Sequence, residues 1–338
     1  MNPELILAFE SSCDDTAVAI VDTDYKVLVN LVSSQPQHLE FGGILPELAS
    51  RLHMSNIMLL TEAALTQANV SLEQISAVAV SINPGLIGSL IVGLSFAKGL
   101  AFGRQLPLIT VNHLLSHIFA NLIDHPELEA PFLALVVSGG HTELVHFKTF
   151  IDFEVVGKTL DDAAGETFDK TAKLLGLGFP GGPIIDKLAR GGDPEFHIFP
   201  RGLKQHDNFN FSYSGLKTSV LTYLSALQPD YIQSNLPSIA ASVQAAIIEP
   251  LVKKTVRWAA QHQLGSILLA GGVAANSALR SALESAAAAK GIKCFYPSLQ
   301  LCMDNAAMVG AAAIPKLKAG LFSELDVNAF SLKGTKTI

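Results

Sequence analysis

Two histidines and an aspartate form the most specific chemical pattern in this sequence. His113 and His117 lie four residues apart in the run VNHLLSHIFANL, so on a helix both imidazoles share one face. Asp304, in a short loop before a small-residue helix (LCMDNAAMVG), is the candidate third ligand. Two histidines and one carboxylate with open positions suit Fe(II) or Zn(II). The alternative is a pair of half-buried helical histidines that bind no metal.

Several common catalytic signatures are absent from the sequence. An H-E-x-x-H zincin motif is excluded, because Leu114 occupies the glutamate position. There is no G-x-x-x-x-G-K-[ST] phosphate loop, and no G-x-G-x-x-G follows a predicted strand. These absences argue against P-loop NTPases and Rossmann dinucleotide enzymes.

Three small-residue turns follow predicted strands and are candidate phosphate-binding loops. Backbone N–H groups in such turns and at helix N-termini commonly hold phosphates. Gly139 and Gly140 would let a phosphate approach the backbone closely, because neither has a Cβ. Asn276 would hydrogen-bond a ribose or base, or simply start a helix. The turns are Ser11-Ser12-Cys13-Asp14, Ser138-Gly139-Gly140-His141 and Gly271-Gly272-Val273.

A cluster of carboxylates surrounds the Gly/Pro segment FPGGP. Such groups accept hydrogen bonds from ribose hydroxyls or hold a magnesium ion, or they complement helix dipoles. Lys217, in the stretch SYSGLKTS, would clamp a phosphate or belong to a helix cap region. The carboxylates are Asp161, Asp162, Glu166, Asp169 and Asp186.

The chain contains two similar series of predicted elements. Residues 6–22 and 132–147 both read as strand, small polar turn and strand, and residues 77–101 and 266–289 both read as strand, turn and helix. This repeat predicts two duplicated α/β halves, 1–125 and 131–338, with an insertion at about 150–233. The alternative is two unrelated α/β domains.

Composition places the chain among globular proteins. Of its 338 residues 49% are apolar and 16% are charged, which favours a sizeable core. Three cysteines without C-x-x-C argue against disulfides. No signal-peptide pattern precedes residue 13, and the apolar run 86–102 is interrupted by Gly, Ser and Lys, so we expect a cytoplasmic protein with no membrane span. The formal net charge of −7 means that an RNA ligand would need a local basic patch or a partner.

Nine ordered blocks together resemble the tRNA threonylcarbamoyladenosine transferase family, whose bacterial members are called TsaD. The similarity runs through nearly the whole chain. The blocks are FESSCDDTAVAI, PELASRLH, NHLLSH, VVSGGHTEL, DDAAGETFDKTAKLLGL, PGGP, FSYSGLKT, AGGVAANSALR and MDNAAMVG.

The resemblance implies an actin-like ATPase fold with two duplicated halves around a central cleft. The implied reaction transfers a threonylcarbamoyl group from threonylcarbamoyl-AMP to N6 of the adenosine just 3′ of the anticodon, in tRNAs that read ANN codons, and releases AMP. It further implies one divalent metal, usually Fe(2+) with Zn as the alternative. The implied partners are a smaller paralogous actin-like subunit (TsaB type) and a small P-loop ATPase (TsaE type).

The resemblance also assigns roles to individual residues. His113, His117 and Asp304 match the metal ligands, and Ser11 and Ser12 lie in the phosphate-side turn. His141 is our own candidate for the general base. The matched substrate contacts are Val136, Val137, Ser138, Gly139, Gly140, Asp169, Gly182, Asp186 and Asn276.

The sequence departs from the family between the two histidines. The usual H-x-E-G-H block is His113-Leu114-Leu115-Ser116-His117 here, which leaves the ligands in place and removes a carboxylate beside them. Two other functions stay open. The H-x-x-x-H pair leaves a metal-dependent glycoprotein endopeptidase, against which the missing glutamate between the histidines argues, and the same departure leaves a nucleotide-binding scaffold without catalytic activity.

Overall fold

A computed structural model describes residues 3–41, 43–203, 205 and 207–331, with only the backbone described for 39–41. The chain divides into two compact units. Unit 1 contains the described residues up to Leu128 together with those from Pro297 onward, and unit 2 is Glu129–Tyr296. Each unit is an α/β structure built on one five-stranded sheet.

The described strands come in two series, β1–β5 and β6–β10, with helices between and after them. The strands are β1 Leu5–Glu10, β2 Asp15–Asp22, β3 Val27–Ser34, β4 Ile75–Asn83, β5 Leu108–Asn112, β6 Phe132–Val137, β7 Thr142–Phe147, β8 Phe153–Lys158, β9 Ser266–Ala270 and β10 Lys293–Phe295. The helices are α1 Pro46–Ala68, α2 Ile87–Arg104, α3 His113–Phe119, α4 Asn121–Asp124, α5 Ala164–Leu174, α6 Gly181–Ala189, α7 Ser214–Ser225, α8 Pro229–Ser234, α9 Leu236–Gln261, α10 Ser277–Ala288, α11 Leu299–Cys302 and α12 Ala306–Lys318.

The two sheets share one topology. The strand order is β3-β2-β1-β4-β5 in unit 1 and β10-β9-β6-β7-β8 in unit 2. In each sheet the first hairpin of the unit is antiparallel, and its first strand also pairs in parallel with the strand that follows later in the chain. The duplication predicted from the repeated element order is therefore confirmed.

The sheet of unit 1 is covered on both faces, which explains its almost uniformly apolar strands. Alternate β1 side chains point to opposite faces. Leu7 and Phe9 join a buried cluster with Ile57 of α1 and Leu94 of α2. Ala8 points the other way and meets α12. Helix α12 contacts β1, β2, β4 and β5, so it covers most of that second face.

The end of the chain lies in a different unit from the one that the sequence predicted. The break after Leu128 falls between the two predicted halves, but the residues from Pro297 onward belong to unit 1, not to a second half running from 131 to 338. The physical reason is the fit of α12 on the first sheet. Its small residues, Gly310 and Ala311 to Ala313 among them, allow the helix backbone to approach the strands closely.

Helix α2 is the one helix in the described part of the chain that is long and apolar enough to cross a membrane by length and composition alone. Its buried side, including Leu90, Leu94 and Ala97, packs in unit 1 against β4 and α1. Ile91 and Phe102 of the same helix remain exposed. A core helix of a soluble protein passes the same test.

We expect Gly310→Ala to lower the free energy of unfolding by about 1–3 kcal/mol, as overpacking does. An added Cβ would lie 2.8 Å from Val21 Cγ2 and 3.1 Å from Val21 Cβ, so α12 would have to shift. Urea denaturation measures the change. Gly99→Ala is the matched control: this helical glycine is exposed with no atom near its Cβ position, and the change should stabilise the protein by about 0.5–1 kcal/mol. Equal effects at the two positions would contradict the packing argument.

Candidate functional site

His113 and His117 lie on the short helix α3, as the four-residue spacing predicted. Asn112 caps this helix: its side-chain oxygen accepts hydrogen bonds from the N–H groups of Leu114 (2.8 Å) and Leu115 (3.1 Å). The cap fixes where the helix begins, directly after the buried strand β5, so His113 is its first residue. The two rings meet edge to face with centroids 4.8 Å apart.

Asp304 lies beside these two histidines, although it comes from the C-terminal segment of unit 1. It lies between α11 and α12, and Asn305 caps α12 by accepting a hydrogen bond from Met308 N–H (3.0 Å). The Asn305 amide also donates to the carbonyl of Met303 at 2.8 Å. The packing of α12 on the sheet therefore holds the Asp304 carboxylate beside α3.

The three side chains have the geometry of a metal-binding group. Asp304 Oδ1 lies 3.2 Å from His117 Nε2 and 3.5 Å from His113 Nε2. One potential ligand atom from each residue lies within 4.8 Å of the other two. Two bonds of about 2.1 Å at a tetrahedral angle separate donor atoms by about 3.4 Å, so these residues fit a divalent ion.

The sequence analysis missed a fourth residue, Glu10, which contacts the ring nitrogen of His113 that does not face Asp304. The side chain is fully buried at the end of β1. Its Oε2 accepts from Ser81 Oγ (2.6 Å) and lies 3.0 Å from His113 Nδ1, and Oε1 accepts from Ser12 N–H (2.6 Å). A carboxylate on one imidazole nitrogen orients the ring and directs the other nitrogen toward a metal. The signal in the sequence was a lone charge that ends a buried apolar strand.

The two carboxylates change the protonation of His113. Burial alone would lower the pKa of His113, but Glu10 and Asp304 raise it to about 9. Burial raises the pKa of both carboxyl groups, but the neighbouring histidines outweigh it. His113 and His117 together lower the pKa of Asp304 to about 2, and His113 is the main cause that lowers the pKa of Glu10. The site thus holds positive charge between two anions. A cation that binds Nε2 would take the place of that proton.

His117 supports the same interpretation. Its ring is buried, and its Nδ1 has no hydrogen-bond partner among the described residues. Its Nε2 is directed at Asp304. A buried histidine with one unpaired nitrogen is costly unless a ligand or water completes it, so the arrangement is easier to explain as a ligand site than as ordinary packing.

The turn between β1 and β2 is held from three directions. Ser12 Oγ lies 3.0 Å from His113 Nδ1, and the Ser12 carbonyl accepts from Leu86 N–H (2.8 Å). His53, fully buried on α1, places Nε2 3.0 Å from the Cys13 carbonyl. Ser11 is buried and its hydroxyl donates to the Ser89 carbonyl (2.9 Å), so this side chain supports the turn. Ser12, but not Ser11, contacts the candidate metal ligands.

In unit 2, the loop after β6 has an open backbone at its tip. Val136 and Val137 are fully buried, so these residues would offer a ligand only backbone groups. Gly139 and Gly140 are exposed, and no atom lies within 4 Å of where a Cβ would stand. The base of this loop is tightly packed: a Cβ on Gly165 would lie 2.4 Å from the Ser138 carbonyl oxygen. The loop is therefore firmly supported and accessible.

Asp169 and Gly182 meet at the start of α6. Asp169 Oδ1 accepts a hydrogen bond from Gly181 N–H at 2.7 Å. Burial raises the pKa of Asp169, and the N–H groups of Gly181 and Gly182 oppose that rise. This carboxylate thus supports the Gly-Gly turn that begins the helix.

Asp186 and Asn276 form a second group in unit 2. Both Asp186 oxygens accept from Ser277 Oγ (2.9 Å), and Arg190 donates to Oδ2 (3.1 Å). Asn276 caps α10 through Leu279 N–H, and its amide donates to Gln244 Oε1 (2.9 Å). Asn276 therefore does start a helix, and Ser277 connects it to Asp186.

The remaining carboxylates of the 160–169 segment have structural partners. Asp161 accepts from the N–H of Tyr213 (2.7 Å) and from Ser214 Oγ (2.8 Å) at the start of α7. Lys170 pairs with Asp162 (2.6 Å) and Glu166 (2.8 Å). The helix-start interpretation accounts for Asp161, and ion pairing accounts for the other two.

His141 follows the exposed glycines. Its N–H donates to Ser138 Oγ (3.2 Å), and its carbonyl accepts from Ser138 N–H (2.9 Å). These bonds close the loop and fix the backbone that carries the imidazole.

Comparison with known proteins identifies close relatives along the whole chain. The sequence model of the tRNA N6-adenosine threonylcarbamoyltransferase family (TsaD) matches residues 26–311. The chain is 48% identical over 330 residues to a tRNA N6-adenosine threonylcarbamoyltransferase of Clostridium perfringens, covering 97% of each. It is 47% identical over 325 residues to one of Kosmotoga olearia, covering 96% of this chain and 97% of the relative.

Solved structures share the fold at low sequence identity. HypF from T. kodakarensis superposes with a TM-score of 0.64 at 13% identity, over 94% of this chain and 48% of that one. Component A of (R)-2-hydroxyglutaryl-CoA dehydratase from Acidaminococcus fermentans superposes with a TM-score of 0.55 at 13% identity, over 93% and 99%. These neighbours have the actin-like ATPase fold, which confirms the predicted fold class.

We expect Glu10→Gln to weaken divalent-metal binding about 10- to 100-fold, because the neutral amide no longer orients and polarises His113. Isothermal titration with Zn²⁺, or with Fe²⁺ under anaerobic conditions, measures the affinity. Asp22→Asn is the matched control, since it removes a buried carboxylate at the other end of the same hairpin, where the carboxylate accepts from the N–H groups of Asp24 and Lys26. Unchanged affinity in Glu10→Gln would contradict the role given to this carboxylate.

Proposed function

This chain belongs to the tRNA N6-adenosine threonylcarbamoyltransferase family; it is a transferase that modifies tRNA, and we propose that threonylcarbamoyl-AMP is its donor and AMP its leaving product. The acceptor would be N6 of the adenosine just 3′ of the anticodon in tRNAs that read ANN codons. The observation that carries this function is identity of 46–48% to curated members along 96–97% of the chain.

The family implies a divalent metal, and the His113–His117–Asp304 group is the candidate site for it. We propose Fe(2+) as the occupant, with Zn(2+) as the alternative, because two imidazoles and one carboxylate suit both ions. When bound, the ion would supply Lewis-acid stabilisation of negative charge on the phosphate of the donor. Glu10 supports this assignment, because it leaves His113 Nε2 directed toward Asp304.

The groups of unit 2 would contact the threonylcarbamoyl-AMP. The open N–H groups of Gly139 and Gly140 would bind an anionic or carbonyl oxygen of the donor, next to Ser138. Asp186 would accept hydrogen bonds from ribose hydroxyls of the nucleoside. Asn276 would form hydrogen bonds with a ribose hydroxyl or a base edge, since an amide can both donate and accept. Asp169 would act through the turn at Gly182 that it supports.

The transfer step itself needs orientation more than activation. The donor is a mixed carbamoyl–phosphate anhydride, so AMP is already a good leaving group. N6 of adenosine attacks the carbamoyl carbon, the bond from that carbon to the phosphate oxygen breaks, and AMP leaves with the electron pair. An N6 proton must then be removed. We propose the His141 imidazole as the acceptor of that proton, because its backbone is fixed at the end of the Ser138–Gly140 loop.

The partners proposed are the smaller actin-like subunit (TsaB type) and the small P-loop ATPase (TsaE type), in the cytoplasm. Exposed apolar side chains on α1 and α2 support the first of these. Met54, Met58 and Phe102 are 68%, 57% and 75% exposed, and Leu59 and Ile91 are also exposed. Large apolar side chains exposed on neighbouring helices favour association with another protein.

A reconstitution tests the function. The chain, an enzyme that makes the adenylate, both partners, threonine, bicarbonate, ATP and an unmodified ANN-decoding tRNA should yield the modified nucleoside, detected by mass spectrometry. His113→Ala/His117→Ala should reduce the product at least 100-fold, because the candidate metal group is removed. His125→Ala/His146→Ala is the matched control, since these histidines contact Glu127 and Glu154 at other places, and it should retain activity. No product from a folded, nucleotide-binding wild-type chain would favour the scaffold interpretation instead.

His141→Ala should lower the transfer rate about 10²- to 10⁴-fold in a single-turnover assay, the usual contribution of a general base. The affinity for the donor should change far less, because the backbone of the loop is kept. An unchanged rate at saturating donor would remove His141 from the mechanism.

A further inference from the structure

A pocket of about 560 Å³ in unit 2, which we call the basic pocket, has no role in the function described so far. It lies between the segment 194–203 and the second half of α9. Its charged lining consists of four cations and two carboxylates: Arg201, Lys253, Lys254, Arg257, Glu195 and Glu249.

One of the carboxylates already neutralises part of this charge. Glu249 accepts from Arg201 Nε (2.8 Å) and pairs with Lys253. Burial raises the pKa of Glu249, and its bonds to Lys253 and Arg201 more than offset that, so the net pKa is lowered. Glu249 therefore stays ionised and holds both cations at the wall of the pocket.

The other two cations have no carboxylate partner among the residues that the structure describes. Lys254 is 5% exposed; its Nζ donates to the Asn210 carbonyl and lies 5.6 Å from the centre of the Phe211 ring. Arg257 donates to the Asn208 carbonyl (3.2 Å) and stacks over Phe209 with its Cζ 4.6 Å from the ring centre.

These two cations are poorly compensated for their burial. The Nε of Arg257 is buried, and no described residue is within hydrogen-bond reach of it. Burial, followed by the charge of Arg257, lowers the pKa of Lys254 to about 8. Neutral carbonyls and aromatic faces stabilise a buried cation less than an anion does. The pocket is thus arranged to gain stability from an anionic ligand.

We propose that the basic pocket binds phosphate groups of the tRNA substrate, an inference that rests on the tRNA-modifying function given above. RNA is the polyanion that the function supplies, and phosphate contacts provide a large share of the affinity of proteins for nucleic acids. A chain with a formal net charge of −7 needs a local concentration of cations to hold RNA.

The surroundings favour a polymer over a free small anion. The volume is several times that of one phosphate group, and the cations line a wall along α9. Arginine and lysine one helical turn apart, at 257 and 253, would contact neighbouring phosphates of one strand.

The test removes two of the cations and compares the result with a charge-matched control. Lys253→Gln/Arg257→Gln should weaken binding of the unmodified tRNA roughly tenfold at about 0.1 M KCl. The slope of log K against log[KCl] should become shallower by about 1–2, one unit or slightly less for each phosphate that the protein no longer neutralises. Lys290→Gln/Lys293→Gln removes the same charge from exposed positions of unit 2 outside the pocket and should leave the slope as in the wild type.

Steady-state kinetics and a conservative variant separate binding from folding. In the reconstituted reaction KM for tRNA should rise while kcat at saturating tRNA stays the same. Lys253→Arg/Arg257→Lys keeps both charges and should restore most of the affinity, and the melting temperatures show whether each variant is folded.

Three results would overturn the proposal. The first is that Lys253→Gln/Arg257→Gln has the same slope of log K against log[KCl] and the same KM for tRNA as Lys290→Gln/Lys293→Gln. Another is weaker binding of AMP or inorganic phosphate with tRNA binding unchanged, which would assign the pocket to a small anion. The third is failure of the charge-keeping variant to recover affinity although it is folded. A wild-type chain that binds tRNA through the pocket yet forms no modified nucleoside would instead contradict the proposed function alone.

Discussion

The buried carboxylate of Glu10 is the interaction on which the first unit's site depends. An ionised group with no exposed surface is stable only when hydrogen bonds and opposite charge replace its lost hydration. Here the replacements come from three separate places: the turn after β1 through Ser12, strand β4 through Ser81, and helix α3 through His113. Satisfying one charge therefore fixes the relative positions of a hairpin, a neighbouring strand and the helix that carries two candidate ligands.

The second constraint is the close approach of α12 to the sheet. Small side chains let the helix backbone come near Ala8 and Val21, and the position of Asp304 follows from that contact, because it precedes the helix by two residues. The position of the Asp304 carboxylate therefore depends on the close approach of the α12 backbone to strands β1 and β2. The polar contacts of Glu10 position His113 and the apolar contacts of α12 position Asp304, so residues near opposite ends of the chain place the candidate ligands together.

Much of this was predictable from the sequence, and the reasons are local. The hairpins, the strand–turn–helix repeats and the helix with His113 and His117 depend on patterns within 10 to 25 residues, and the structure has all of them. Glu10 was missed because its partners Ser81 and His113 are 71 and 103 residues away. The prediction that the last segment belongs to the second half was wrong for the same reason. Nothing in the sequence of residues 297–331 indicates which of the two similar sheets α12 covers. The basic pocket combines a helix with a distant loop, and only the fold brings them together.

The order of the ligands along the chain has a consequence for biosynthesis. His117 and Asp304 are 187 positions apart, and the whole of unit 2 is encoded between them. At about 5–20 residues per second, the ribosome needs roughly 10–40 s to pass from one to the other. Until then the first sheet lacks the helix that covers it and the histidines lack their carboxylate. A chain that stops early, or is cut within unit 2 and loses its end, would present only two of the three ligands. The candidate metal site would thus be complete only after translation has reached α12.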